Sequence, residues 1–109
     1  MTDSLVVLIT AATEDEAAAI AKALVDGRLA ACVNIVKQIR SIYRWQGKVE
    51  DEQEVLMIAK TRKELFTDLV CKVKELHSYS VPEIIALPIF DGFGGYLDWL
   101  RAETVKDSI

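Results

Sequence analysis

The chain has 109 residues and a formal net charge of −4, long enough for one domain over residues 1–109 with a single core and no need of disulfides or a structural metal. The acidic balance and the lack of any basic cluster argue against nucleic acid or an anionic membrane surface as the main partner. Apolar runs such as 5–9 are too short to cross a bilayer, and the opening Met-Thr-Asp-Ser has no basic start followed by a hydrophobic stretch, so a cytoplasmic protein is expected.

In chain order, the run 5–9 (LVVLI) reads as a strand apolar on both faces. Thr13 and Glu16 form a capping-box pair that opens a helix. Ala17, Ile20, Ala21 and Leu24 line one face of it, and Gly27 supplies its C-cap. Residues 29–36 return as a second strand. The stretch 39–61 is then expected to form a long hairpin. Ile39, Ser41, Tyr43 and Trp45 alternate with Arg40, Ile42 and Arg44, Gln46-Gly47 makes the turn, and no Pro or Gly interrupts the return arm. An extended arm of that length spans about 45 Å at ~3.4 Å per residue, more than the roughly 35 Å diameter of a globule this size. The ribbon must therefore overhang, and pairing with a second subunit would shelter it.

Thr61 and Glu64 read as a second capping box, opening a helix with the stripe Leu65, Leu69, Val73 and Leu76 and with Cys71 on its polar side. Pro82 restarts extended chain, 84–89 is the last strand, and Pro88 marks it as an edge. The glycine-rich turn 91–95 precedes a terminal helix bearing Tyr96, Leu97, Trp99 and Leu100. The order predicts an α+β, ferredoxin-like β-α-β-β-α-β sandwich with a long hairpin and a C-terminal helix. Two helices would cover one sheet face. The strands are apolar on both sides, so the other face also needs cover, a second reason to expect an oligomer.

Motifs for catalysis are absent. There is no G-x-S-x-G, P-loop or G-x-G-x-x-G spacing, so a non-enzymatic protein is expected. His77 is the only histidine and stands at a helix end, where it reads first as a dipole or capping residue and second as a metal ligand. Cys32 reads first as a small buried residue and second as a ligand; Cys71 reads as an exposed thiol. The acidic run 50–52 with Glu54 reads as a solvated edge. Tyr43 and Trp45 read as interface aromatics or as a platform for a planar ligand.

The segments Ala31-Cys32-Val33-Asn34, Ile42-Tyr43-Arg44-Trp45-Gln46-Gly47-Lys48, Glu54, Lys60-Thr61, His77-Ser78-Tyr79, Pro82-Glu83-Ile84 and Tyr96-Leu97-Trp99-Leu100 together resemble the CutA family of divalent-cation tolerance proteins. The resemblance spans nearly the whole chain. It implies a ferredoxin-like fold assembled as a tight homotrimer through edge-to-edge strand pairing. It also implies a link to copper or other divalent cations, and a cleft near the subunit boundary lined by Trp45, Lys60, Tyr79 and Glu83. Some members carry copper ligands at positions that read here as Ile9 and Leu76-His77, with Ser78 in place of the usual proline. Only His77 survives of that set, so a metal site implied by the resemblance would draw on His77 with Cys32, Glu83 or a neighbouring subunit. A PII-like regulator binding a small anionic metabolite between subunits, with Lys60, Arg44 and Lys48 facing the anion, is the alternative. An acylphosphatase-like hydrolase would need an Arg in a glycine-rich loop, which Thr10-Ala11-Ala12-Thr13 does not provide.

Overall fold

A computed structural model describes residues 2–105 of the chain. Its elements follow the order expected from the periodicities. They are β1 (Ser4–Ala11), α1 (Glu14–Asp26), β2 (Cys32–Trp45), β3 (Lys48–Arg62), α2 (Phe66–Leu76), β4 (Ile84–Pro88) and α3 (Gly94–Glu103), with a 3₁₀ turn, Lys63–Leu65, leading into α2. The four strands form one antiparallel sheet in the order β2-β3-β1-β4.

Strand alternation decides what each sheet face buries. Val7, Ile9 and Ala11 on β1 lie opposite Ala59, Met57 and Val55 on β3, and this face packs against Ile20 and Leu24 of α1 and Leu69 and Val73 of α2. The other face carries Leu8 beside Ile58 and Ile85, and Val6 beside Leu87. Ile85 and Leu87 are 50% and 52% exposed. The chain therefore leaves apolar sheet surface open on the side its two larger helices do not cover, as the two-sided strands imply. At one end α3 reaches this side: the Arg62 guanidinium, itself buried, donates from Nε to Thr104 Oγ1 at 2.8 Å and from Nη2 to the Thr104 carbonyl at 2.9 Å.

The segments expected as a strand over 29–36 and a hairpin arm from 39 are one continuous strand, β2, with a bulge between Val36 and Ile39. One extra residue there reverses the alternation. Val33 and Ile35 face the core, whereas Ile39, Ser41, Tyr43 and Trp45 stand opposite Glu54, Glu52, Glu50 and Lys48 on the helix-free side. Gln46 (φ 49°) and Gly47 (φ 82°) close the hairpin with two left-handed residues, the geometry that matches the twist of the paired strands. From Arg40 to Gln53 no residue is buried, and the molecule measures 46 × 30 × 22 Å. The overhang is as long as the strand arithmetic requires.

The first capping box is half realised. Thr13 Oγ1 accepts from the Glu16 amide at 3.1 Å, but the Glu16 carboxylate turns away to accept from the Ser78 amide at 3.1 Å. The second is not formed. Thr61 stays in β3 and its hydroxyl donates to the Leu29 carbonyl at 2.7 Å, while α2 begins after the 3₁₀ turn with no side-chain cap. The Thr61 hydroxyl is held by a distant carbonyl in place of the backbone amide donor a cap would have met.

Candidate functional site

The hairpin and the 77–83 loop meet where β1 ends, and His77 is what joins them. Its side chain is fully buried. Nδ1 accepts from the Tyr79 amide at 3.0 Å, which leaves the ring hydrogen on Nε2, and Nε2 donates to the Thr10 carbonyl at 2.7 Å. The Tyr79 ring lies over the imidazole at 4.7 Å between centroids. So held, Tyr79 points its hydroxyl into the sheet and donates to Glu54 Oε2 at 2.9 Å. Behind the imidazole the second Glu16 oxygen, Oε1, is buried with no hydrogen-bond partner among the described residues and stands 3.8 Å from Nδ1.

In front of this clamp lies a cleft of about 680 Å³. Its walls are Tyr43 and Trp45 from the hairpin and Val81 from the loop, with Glu54 and Tyr79 inside and Glu83 beside them. Arg40 also lines it, but its guanidinium is engaged with Asp51 across the hairpin through Nε–Oδ1 at 2.9 Å and Nη2–Oδ2 at 2.6 Å. That bidentate bond holds the Asp51 carboxyl below its usual range. Glu54, expected on a solvated edge, is only 8% exposed. It sits opposite Ile39, the first residue beyond the bulge, so the bulge and Tyr79 together convert it from a surface acid into a buried one.

All three tyrosines of the chain have phenol groups raised above their ordinary value. Burial and then the bond to Glu54 raise Tyr79, and the bond to Glu52 raises Tyr43. The contact with Cys32 Sγ at 3.5 Å, followed by burial, pushes Tyr96 up to about 12. A folded-state value above the unfolded one means stability present below the unfolded pKa near 10 and lost as pH rises through the folded one. Tyrosinate absorbance is accordingly expected to stay low in the native protein at pH 10 and to appear on adding urea at the same pH; Glu54→Gln should bring one tyrosine back toward the ordinary range.

The residues singled out in the sequence fall into two groups. Trp45, Tyr79 and Glu83 line the cleft and His77 backs it. Cys32 and Lys60 are cross-strand neighbours toward the other end of the sheet, where Cys32 meets Tyr96 and Lys60 donates to Asn34 Oδ1. Lys60 does not line the cleft, nor do Arg44 and Lys48, so the cations an anion-binding regulator would use are not gathered there. Thr10, Arg40 and the buried Glu54 were the contributions that periodicity alone could not single out; the signal available for Glu54 was its place as the last acid of the 50–54 stretch, directly before the apolar run 55–59.

Comparison with known proteins bears on what such a site serves. The family described as CutA1 divalent ion tolerance protein matches residues 5–103. The chain belongs to that family. It is 59% identical over 99 residues to the divalent-cation tolerance protein CutA of Thermus thermophilus, covering 91% of this chain and 96% of that protein. A solved Thermus thermophilus divalent cation tolerance protein superposes with a TM-score of 0.91 at 57% identity, over 94% of this chain and 99% of that one. Human protein CutA is 48% identical over 103 residues, but those span 93% of this chain and only 58% of the human protein. Within this CutA1 fold, both imidazole nitrogens of His77 are already engaged, and Cys32 lies apart from it. Among the described residues no three His, Cys, Asp or Glu side chains are grouped so as to hold a metal ion. His77 and Cys32, named together as candidate ligands from the sequence, therefore stand at different ends of the sheet.

Proposed function

We propose that this chain is the subunit of a cytoplasmic, non-enzymatic homotrimer that serves tolerance to divalent cations, copper foremost, and that it assembles through the 39–61 hairpin and the helix-free sheet face. The match to the CutA1 divalent ion tolerance family over residues 5–103 carries the reading. Support for assembly comes from the apolar residues left open on that face and from the overhanging ribbon with Tyr43 and Trp45. Because a single chain gathers no three-ligand group among its described residues, a bound ion would take donors from more than one subunit, with His77 available only if Nδ1 gives up the Tyr79 amide.

Isothermal titration of copper into the purified metal-free protein, run beside His77→Ala and Cys32→Ser with sedimentation velocity on each, tests it. A trimer that binds copper in a fixed ratio to subunits is the expected result. A monomer at micromolar concentration removes the assembly, and heat indistinguishable from dilution removes direct copper binding.

A further inference from the structure

We propose that α3 is a hinged strap, attached through the glycines that precede it and latched at its far end by Arg62, and that it opens as a unit while the sheet stays folded, carrying Tyr96 off the Cys32 thiol. Of its ten residues only Leu100 is buried, and a helix of that length does not hold its shape alone in water. What fastens it is polar and lies at its C-terminal end. Arg62, 8% exposed at the end of β3, donates from Nε to Thr104 Oγ1 at 2.8 Å and from Nη2 to the Thr104 carbonyl at 2.9 Å. Arg28, in the turn after α1, adds a bond from Nη1 to the Glu103 carbonyl at 3.4 Å. Two arginines from other elements thus answer the carbonyls that end the helix, where a cation is favoured.

The pair on the outside matters less. Arg101 reaches Asp3 at 2.8 and 3.2 Å, but both side chains are exposed, and ion pairs in water hold little. Arg62 is therefore the latch. Its release strands no charge, because Arg62 is also paired with Glu64, whose carboxylate is mostly exposed, so the guanidinium enters water with a partner already beside it.

The other end of α3 is loosely made. No side chain caps its first turn, and Gly92, Gly94 and Gly95 join it to β4. At 94 the backbone is not left-handed and a side chain would stand in open space, so packing does not call for glycine there; what glycine supplies is backbone freedom. Just beyond this hinge the Tyr96 hydroxyl meets Cys32 Sγ at 3.5 Å, a contact that also raises the Tyr96 phenol. That contact belongs to the closed strap, and it breaks when the helix swings away or unravels.

Native-state hydrogen exchange on the intact protein, in whatever oligomeric state it is purified and read residue by residue by NMR, tests the strap. Amides 98–103 should exchange at least about tenfold faster than those of β1 and β3. Arg62→Met keeps the aliphatic stem and removes the donors; it should speed the α3 amides by a further tenfold to hundredfold or about that, the worth of charge-assisted bonds, and leave β1 unchanged. Thr104→Val, which removes one acceptor and keeps Arg62, should act in the same direction by a smaller factor. In a Cys71→Ser background, the reaction of Cys32 with an aromatic disulfide reagent should quicken in step with the α3 amides. Exchange of 98–103 at the rate of β1, acceleration of helix and sheet alike in Arg62→Met, or a Cys32 thiol indifferent to both variants would each overturn the proposal. The first is also the result if a neighbouring subunit clasps α3. None of these readouts uses copper or a particular number of subunits, so the strap and the proposed function fail separately.

Discussion

His77→Ala is expected to destabilise the protein by about 2–4 kcal/mol, the combined effect of an emptied imidazole site and two buried polar groups left without partners. The Tyr79 amide would lose Nδ1 and the Thr10 carbonyl would lose Nε2–H. Urea unfolding monitored by far-ultraviolet dichroism measures the loss. A second readout separates a clamp from a mere filler of space: Tyr79 would come away from Glu54, so its phenol should ionise nearer the ordinary tyrosine range than in the native protein. Tyr79→Phe removes only the hydroxyl bond and should cost about 1 kcal/mol. A His77→Ala cost below that of Tyr79→Phe would contradict the clamp.

The second large effect concerns assembly. Ile58→Glu should turn the proposed trimer into a folded monomer. Ile58 stands between Asn34 and Leu8 on the helix-free face, away from the core that α1 and α2 cover. In a monomer the new carboxylate stays in water. In an assembly that buries this face it would have to be desolvated without a partner, at a cost of several kcal/mol per subunit. Sedimentation velocity reads the change in mass, and an unchanged far-ultraviolet spectrum confirms that the subunit still folds. Lys72→Glu, on the outer side of α2 where Lys72 pairs with Glu75, is the charge-changing control and should remain assembled. A variant at Ile58 that sediments like the parent would place the subunit contact elsewhere.

Much of this architecture is written in local patterns. The alternation of Ile39 through Trp45, the Gln46-Gly47 turn and the long uninterrupted return arm dictate a ribbon that overhangs, because rise per residue is fixed by backbone geometry alone. The apolar stripe of Ile20, Leu24, Leu69 and Val73 likewise has only one way to face a sheet. Strands apolar on both sides also declared that one chain could not cover its own sheet.

The tertiary structure decided what depends on partners distant in sequence. Thr61 carries a perfectly good capping pattern, yet its hydroxyl goes to Leu29, a bond no local rule anticipates. His77 has the position of a helix cap and the chemistry of a ligand, but contact with Thr10, 67 residues away, makes it a buried clamp. Glu54 belongs by sequence to an acidic edge. The bulge after Val36 and the hydroxyl of Tyr79 bury it at the centre of a cleft instead. Periodicity fixes which way a side chain points along its own strand or helix, whereas burial and charge state follow from what other elements place in front of it, and that is settled only when the chain closes on itself.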